Sequence, residues 1–310
     1  MAAVADFTMQ AAPAGPFDLR DADAWLRWRD WKLAHAPRSA DELIVEVCDP
    51  RALTAAEHEA LMARIRRCNM AIYAGRLREA DPAIPRELGR QFGLENLDAN
   101  WLAGEDGISE IKVNQGGARQ LYIPYTDRPI KWHTDGYYNP PERLIRAMVL
   151  HCVRPAAEGG ENRLLDHEMA WLWLREENPE HIRALMQPDA MLIPERAGEE
   201  GVARVEQSGP VFSLDRDGNL HMRYTARTRS IAWNQDAGVL AAVAALERLL
   251  ADETGPFVVH AQLEPGMGLL CNNVLHDRSA FHDDPAHPRL LYRARYLDRI
   301  TPLDRIADGR

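Results

Sequence analysis

The 310-residue sequence predicts a mainly β chain with helical additions: a double-stranded β-helix, or jelly roll, flanked by helices. Three observations carry this expectation. From residue 111 onward, short runs rich in Val, Ile, Tyr and Leu alternate with Gly, Pro, Asn and Asp, as antiparallel strands and turns do. Before that point helical periodicity dominates. The length suits a single domain over 1–310, with 1–105 mostly helical and 106–310 forming the jelly-roll core with helical insertions.

Taken in order, residues 23–35 place Trp25, Trp28 and Trp31 at spacings of three, which predicts a helix docked through an aromatic stripe. A second helix is expected over 54–73, opened by a capping box of Thr54 and Glu57, and a shorter third over 85–92. Strands are expected at 111–113, 130–133, 147–153, 211–214, 220–224, 257–263, 268–271 and 290–297. The DRDG run at 215–218 reads as a hairpin turn between two of them. Helices over 166–177 and 235–254 interrupt the strands.

Composition excludes several classes. With 37 basic and 47 acidic residues the formal charge is −10, a field that opposes a polyanion, so no nucleic-acid partner is expected. The start of the chain lacks a secretory signal, and no apolar run is long enough for a membrane; a cytoplasmic enzyme is the expectation. Cys48, Cys68, Cys152 and Cys271 form no Cys-x-x-Cys pair and read as buried free thiols.

The segment Lys131-Trp132-His133-Thr134-Asp135-Gly136 carries the first chemistry. On a strand, residues i and i+2 point to one side, so His133 and Asp135 can offer a nitrogen and a carboxylate oxygen to one cation. Far downstream, an apolar strand leads through Asn272 and Asn273 to His276. Two histidines and one carboxylate leave coordination positions open, which suits Fe(II) binding a cosubstrate and oxygen. Zinc, with three ligands and a water, is the rival metal. In the run 288–296, a strand would put Arg289, Leu291, Arg293 and Arg295 on one face and Leu290, Tyr292, Ala294 and Tyr296 on the other. An arginine in a pocket there can hold a carboxylate through two parallel charge-assisted hydrogen bonds. A solvated charged face is the alternative.

Four motifs in this order, His133-Thr134-Asp135-Gly136, the PAAEGGEN run at 155–162, Asn273-Val274-Leu275-His276 and Arg289-x-x-x-Arg293, resemble the taurine dioxygenase and clavaminate synthase-like superfamily of 2-oxoglutarate-dependent oxygenases, over roughly 111–300. The resemblance implies that His133, Asp135 and His276 are iron ligands and that Arg289 pairs with the far carboxylate of 2-oxoglutarate. Asn162 stands where taurine dioxygenase has a threonine touching that carboxylate. Arg293 stands where it has an arginine that holds the sulfonate, and here would bind an anionic substrate group or the near carboxylate of the cosubstrate. The implied cofactor is Fe(II), with 2-oxoglutarate and O2 as cosubstrates. The implied activity is hydroxylation of a small polar, anionic or zwitterionic metabolite, releasing succinate and CO2. Related halogenases carry a small residue in place of Asp135, so its presence favours hydroxylation. Relatives are often dimers or tetramers, which leaves a homo-oligomer open.

Asn114, Tyr122 and Arg293 are the expected substrate contacts. Two rival readings use the same residues: a zinc-dependent hydrolase, and a non-catalytic jelly roll that binds a small acid. The stretch 221–229, HMRYTARTR, either approaches the pocket or forms a salt-bridged surface strand. The acidic histidine cluster of His282, Asp283, Asp284 and His287 reads as an exposed loop. His151 reads as a core histidine.

Overall fold

The first helix, α1 (Ala22–His35), starts where the Asp21 carboxylate accepts the Ala24 N–H. Its tryptophans part company. Trp25 is buried under Arg175, whereas Trp31 is 41% exposed and stacks on His35. Steps of three residues on a 3.6-residue turn drift by about 60° each, so Trp31 lies roughly 120° from Trp25. The residue seven after Trp25 returns to the buried face, and that residue is Lys32.

The structure, a computed structural model, describes residues 15–98, 104, 107–114, 116, 122–196, 204–229, 231–253 and 255–301. After α1 come β1 (Ile44–Val47), α2 (Ala55–Cys68), β2 (Met70–Gly75) and α3 (Ile84–Gln91). The capping box forms at Thr54 and Glu57 as expected. The helix expected over 54–73 is shorter, because Asn69 turns left-handed (φ 59°) and the β-prone residues beyond it enter a sheet. Next come β3 (Ser109–Ile111), β4 (Ile130–His133), β5 (Ala147–Arg154), the short β6 (Glu158–Gly159) and β7 (Asn162–Leu165). Helices α4 (His167–Glu177) and α5 (Pro179–Leu185) lead to β8 (Met191–Ile193), β9 (Gln207–Gly209), β10 (Phe212–Leu214), β11 (Leu220–Met222) and β12 (Ala232–Trp233). The chain ends with α6 (Ala237–Ala251), β13 (Val259–Ala261), β14 (Met267–Cys271), β15 (Leu275–Arg278), β16 (Phe281–His282) and β17 (Leu290–Tyr296).

Two sheets form the jelly roll. The larger runs β1-β2-β14-β5-β17-β3, and the smaller runs β13-β7-β15-β4. Only the β1–β2 pairing within them is parallel. Between the sheets pack Met148, Cys152, Leu269 and Leu291 from the large one with Leu164 and Val274 from the small one. On the outer face of the large sheet, Tyr292, Ala294 and Tyr296 meet Leu61 and Ile65 of α2 and Leu88 of α3. On the outer face of the small sheet, Trp132, Leu165 and Leu275 join a core with Trp171, Ile182 and Leu246 from α4, α5 and α6. The strand β17 therefore has the apolar, helix-facing side that its alternation predicts.

Lys32 fastens α1 to this body. Its ammonium lies 2.5 Å from Asp166 and 2.6 Å from Glu168, all three buried. Asp166 also caps α4 and accepts from Asn69 Nδ2 at 3.0 Å. Burial alone would strip the proton from Lys32, but the two carboxylates outweigh it and hold its pKa above the ordinary value. Three cysteines are buried free thiols as expected, whereas Cys48 is exposed. No helix among the described residues is long and apolar enough to cross a membrane.

Candidate active site

Strands β4 and β15 pair antiparallel with His276 directly opposite His133, their ring centroids 4.2 Å apart. Each ring is fixed in the same way. His133 Nδ1 lies 3.0 Å from the Lys131 carbonyl, and His276 Nδ1 lies 2.9 Å from the Val274 carbonyl. A carbonyl can only accept, so each Nδ1 carries the proton and each Nε2 keeps its lone pair for a metal. Asp135 follows just beyond β4, its backbone N–H donating to Asn273 Oδ1 at 2.8 Å. Asn273 Nδ2 returns hydrogen bonds to the carbonyls of Asp135 (3.0 Å) and Ile145 (2.7 Å). Asn273 does this from a left-handed backbone, φ 50°, which asparagine tolerates better than most residues. Gly136 is required next: its φ is 68°, and a Cβ there would collide with the Ile145 side chain.

One donor atom each from His133, Asp135 and His276 lies within 4.8 Å of the others. Bonds of about 2.0–2.2 Å place the donors of one ion roughly 3 Å apart, so small side-chain movements would seat a divalent cation. Asp135 and His276 are buried and His133 nearly so. Burial alone would raise the Asp135 carboxyl, but Arg293, His133 and Arg295 outweigh it and hold it well below the usual range. Burial, then the neighbouring His133, pushes His276 down to about 4, so it is neutral at pH 7. Asp135 and His276 are thus in their metal-binding protonation states.

A second feature lies along β17. Arg289, just before the strand, is 4% exposed, and its backbone N–H donates to Asp283 Oδ1 at 2.7 Å. Its guanidinium and that of Arg278 both pack on the Phe281 ring, at 5.1 and 4.7 Å. Arg289 Nη1 is buried with no hydrogen-bond partner, and no carboxylate pairs with the guanidinium among the described residues. Burial accordingly pushes its pKa down to about 10. Arg289 and Asn162 line one cavity with Cys152, Gly159, Gly160 and Leu291. Asn162 spends one N–H on the Asp277 carbonyl at 2.7 Å and keeps the other. Gly159 turns with φ 73°, and a Cβ there would strike the Ala280 carbonyl.

The other expected site residues are placed less centrally. Arg293 reaches the triad itself, its Nη1 3.2 Å from Asp135 Oδ2. Tyr122 accepts a hydrogen bond from Arg196 Nη2 at 2.7 Å, and Asn114 Nδ2 donates to the Lys112 carbonyl at 3.0 Å. Among the described residues, neither is bonded to the triad. The 221–229 stretch does approach the site, with Thr225 bridged to His133 and the Tyr224 N–H donating to Thr134 Oγ1. The loop of Asp283, Asp284 and His287 carries an Asp284–His287 pair at 3.0 Å and forms no three-residue metal group. The bracing role of Asn273 was not foreseen, although its place in an Asn-Asn pair before His276 is a signal for a left-handed turn.

A jelly roll that gathers two histidines and a carboxylate at its smaller sheet defines a class: the mononuclear non-haem metal oxygenase fold. The chain belongs to the taurine catabolism dioxygenase TauD, TfdA family, whose pattern matches residues 49–295. It is 33% identical over 171 residues to a uridine-5'-phosphate dioxygenase of Amycolatopsis sp, covering 54% of this chain and 60% of that one. It is 32% identical over 186 residues to a uridine-5'-phosphate dioxygenase of Streptomyces sp, covering 59% and 66%. Both matches span less than two thirds of the relative's length. In fold it is similar to the non-haem iron oxygenase OrfP in complex with Fe, succinate and (3S)-hydroxy-L-Arg (TM-score 0.59, 16% identity, 83% and 84% of the two chains). It is also similar to an asparagine oxygenase in complex with Fe(II), 2S,3S-3-hydroxyasparagine and succinate (TM-score 0.55, 14% identity, 87% and 91%).

Proposed function

We propose that the chain is an Fe(II)- and 2-oxoglutarate-dependent dioxygenase that hydroxylates a small polar metabolite bearing an anionic or zwitterionic group. The observation that carries this reading is a buried two-histidine, one-carboxylate cluster sharing a strand neighbourhood with a buried arginine that lacks a counter-ion. Arg289 precedes β17 and Arg293, which touches Asp135, lies within it, so a diacid held with one end at the triad would extend its far carboxylate towards Arg289. A zinc hydrolase would leave that arginine without a purpose, and an acid-binding protein would leave the ordered histidines without one.

His133, Asp135 and His276 would hold the iron, both imidazoles oriented by the carbonyls their Nδ1 atoms face. Arg289 would take the far carboxylate bidentately, with Asn162 offering its spare N–H. The Phe281 ring packs against that guanidinium. When bound, iron supplies the oxygen activation that is coupled to decarboxylation of 2-oxoglutarate, one oxygen atom entering succinate and the other the substrate. Uridine-5'-phosphate, named for the relatives, is the first substrate to try. The test is an anaerobic titration of the apoprotein with Fe(II) and 2-oxoglutarate, read by the weak visible charge-transfer band of the chelate. The band is expected only with both present and should vanish in His133→Ala. Fe(II) binding without a band would remove the 2-oxoglutarate reading.

A further inference from the structure

A second cationic cluster lies beside the site and has no part in holding metal or cosubstrate. Arg196 and Arg204 face each other across an antiparallel bridge, exchanging backbone hydrogen bonds of 2.9 and 3.1 Å. Like charges directly opposite in such a pair repel. Burial, then Arg196, holds the Arg204 pKa below its ordinary value. Arg204 Nη2 donates to the Pro194 carbonyl at 3.0 Å, while its buried Nε has no acceptor. Its guanidinium lies over the Tyr138 ring at 5.8 Å, and that of Arg196 over Tyr122 at 5.0 Å. Arg227 Nη1 donates to Tyr137 Oη at 3.3 Å. Buried Arg223 spends its donors on the carbonyls of Tyr137, Met191, Gly209 and Gln207. Among the described residues, no carboxylate pairs with Arg204, Arg223 or Arg227. The cluster adjoins the triad: Tyr137 and Tyr138 follow Gly136, and Tyr138 Oη accepts from Arg295 Nη1 at 3.0 Å.

We propose that this cluster, centred on Arg204, binds a phosphate monoester group of the substrate. The proposal rests on the hydroxylase reading above. One buried arginine suffices for a carboxylate, as at Arg289; Arg204, whose buried Nε has no acceptor, together with Arg227 on the neighbouring Tyr137, suits a dianion with three acceptor oxygens. A phosphate at Arg204 would leave the rest of the substrate on the triad side of Tyr138.

Inorganic phosphate is the probe, titrated calorimetrically into the full chain at constant ionic strength. Binding by the native chain is expected to weaken at least tenfold in Arg204→Gln, in part in Arg204→Lys, and about threefold in Arg227→Gln, an exposed position that folding tolerates. Uridine-5'-phosphate should displace the phosphate, and uridine should not. Absence of phosphate binding, equal binding by Arg204→Gln and Arg227→Gln, or failure of the nucleotide to displace phosphate would overturn the assignment. Loss of the charge-transfer band would sink the hydroxylase reading while leaving the phosphate titration intact, so the two failures are told apart.

Discussion

Arg289 and Arg295 stand at the two ends of one strand, are each 4% exposed, and are handled in opposite ways. Arg295 Nη2 lies 2.5 Å from Asp98, and its Nη1 donates to Tyr138. Burial would lower its pKa, but Tyr138, Asp135 and Asp98 together raise it above the ordinary arginine value. At Arg289 burial outweighs the favourable pull of Cys152 and Asp283, and a buried Nη1 has no acceptor. A cation that is buried and matched holds the fold together; a cation that is buried and unmatched costs stability until a ligand arrives. On the proposed function the two ends of β17 separate a structural clamp from a binding group, and sequence alternation alone treats them as equals.

That contrast can be broken most sharply at Asp98. Asp98→Ala strands Arg295 and also frees Arg143, whose Nη2 lies 2.6 Å from the same carboxylate. The expected loss is about 3–5 kcal/mol of folding stability, read from the urea midpoint. A loss under about 1 kcal/mol would mean that the clamp is not structural.

Arg289→Met should do the reverse. Stability is expected to stay within about 1 kcal/mol or to rise, because an uncompensated charge leaves the interior. Affinity for 2-oxoglutarate should fall by about 10–100-fold in the charge-transfer titration, the worth of a charge-assisted hydrogen-bond pair. If this variant unfolds as easily as Asp98→Ala, the comparison collapses.

The smallest effect is one of slope. His151, on the helix-facing side of β5, is a buried base kept neutral: burial pushes it down to about 4, and Tyr73 Oη lies 3.0 Å from its Nδ1. An unfolded histidine titrates near 6.5. The stability it contributes is therefore complete above pH 6.5 and is lost as pH falls towards 4. Thermal melts of His151→Gln at pH 7 and pH 4.5 should show a smaller acid loss than the native chain; an unchanged difference would place the acid sensitivity elsewhere.

Much of the site was legible because it obeys short periods. His133 and Asp135 are two apart, Arg289 and Arg293 share a strand face, and Thr54 with Glu57 announces a helix start. What escaped depends on partners distant in the chain. Lys32 hid among tryptophans because Glu168, which receives it, is 136 residues away. Strand β2 was absorbed into a helix because only the left-handed turn at Asn69 separates them. Arg196 and Arg204 gave no pattern, since an isolated bridge is too short to leave a period.

The bond between Asp135 and Asn273 spans 138 residues of chain. The triad is therefore assembled only when β15 has emerged and found β4. A nascent, clipped or partly unfolded chain has two of its three ligands at most, and so offers a loose ion little purchase. The long closure would act as a safety catch: an ion could meet all three donors only once both strands are in place.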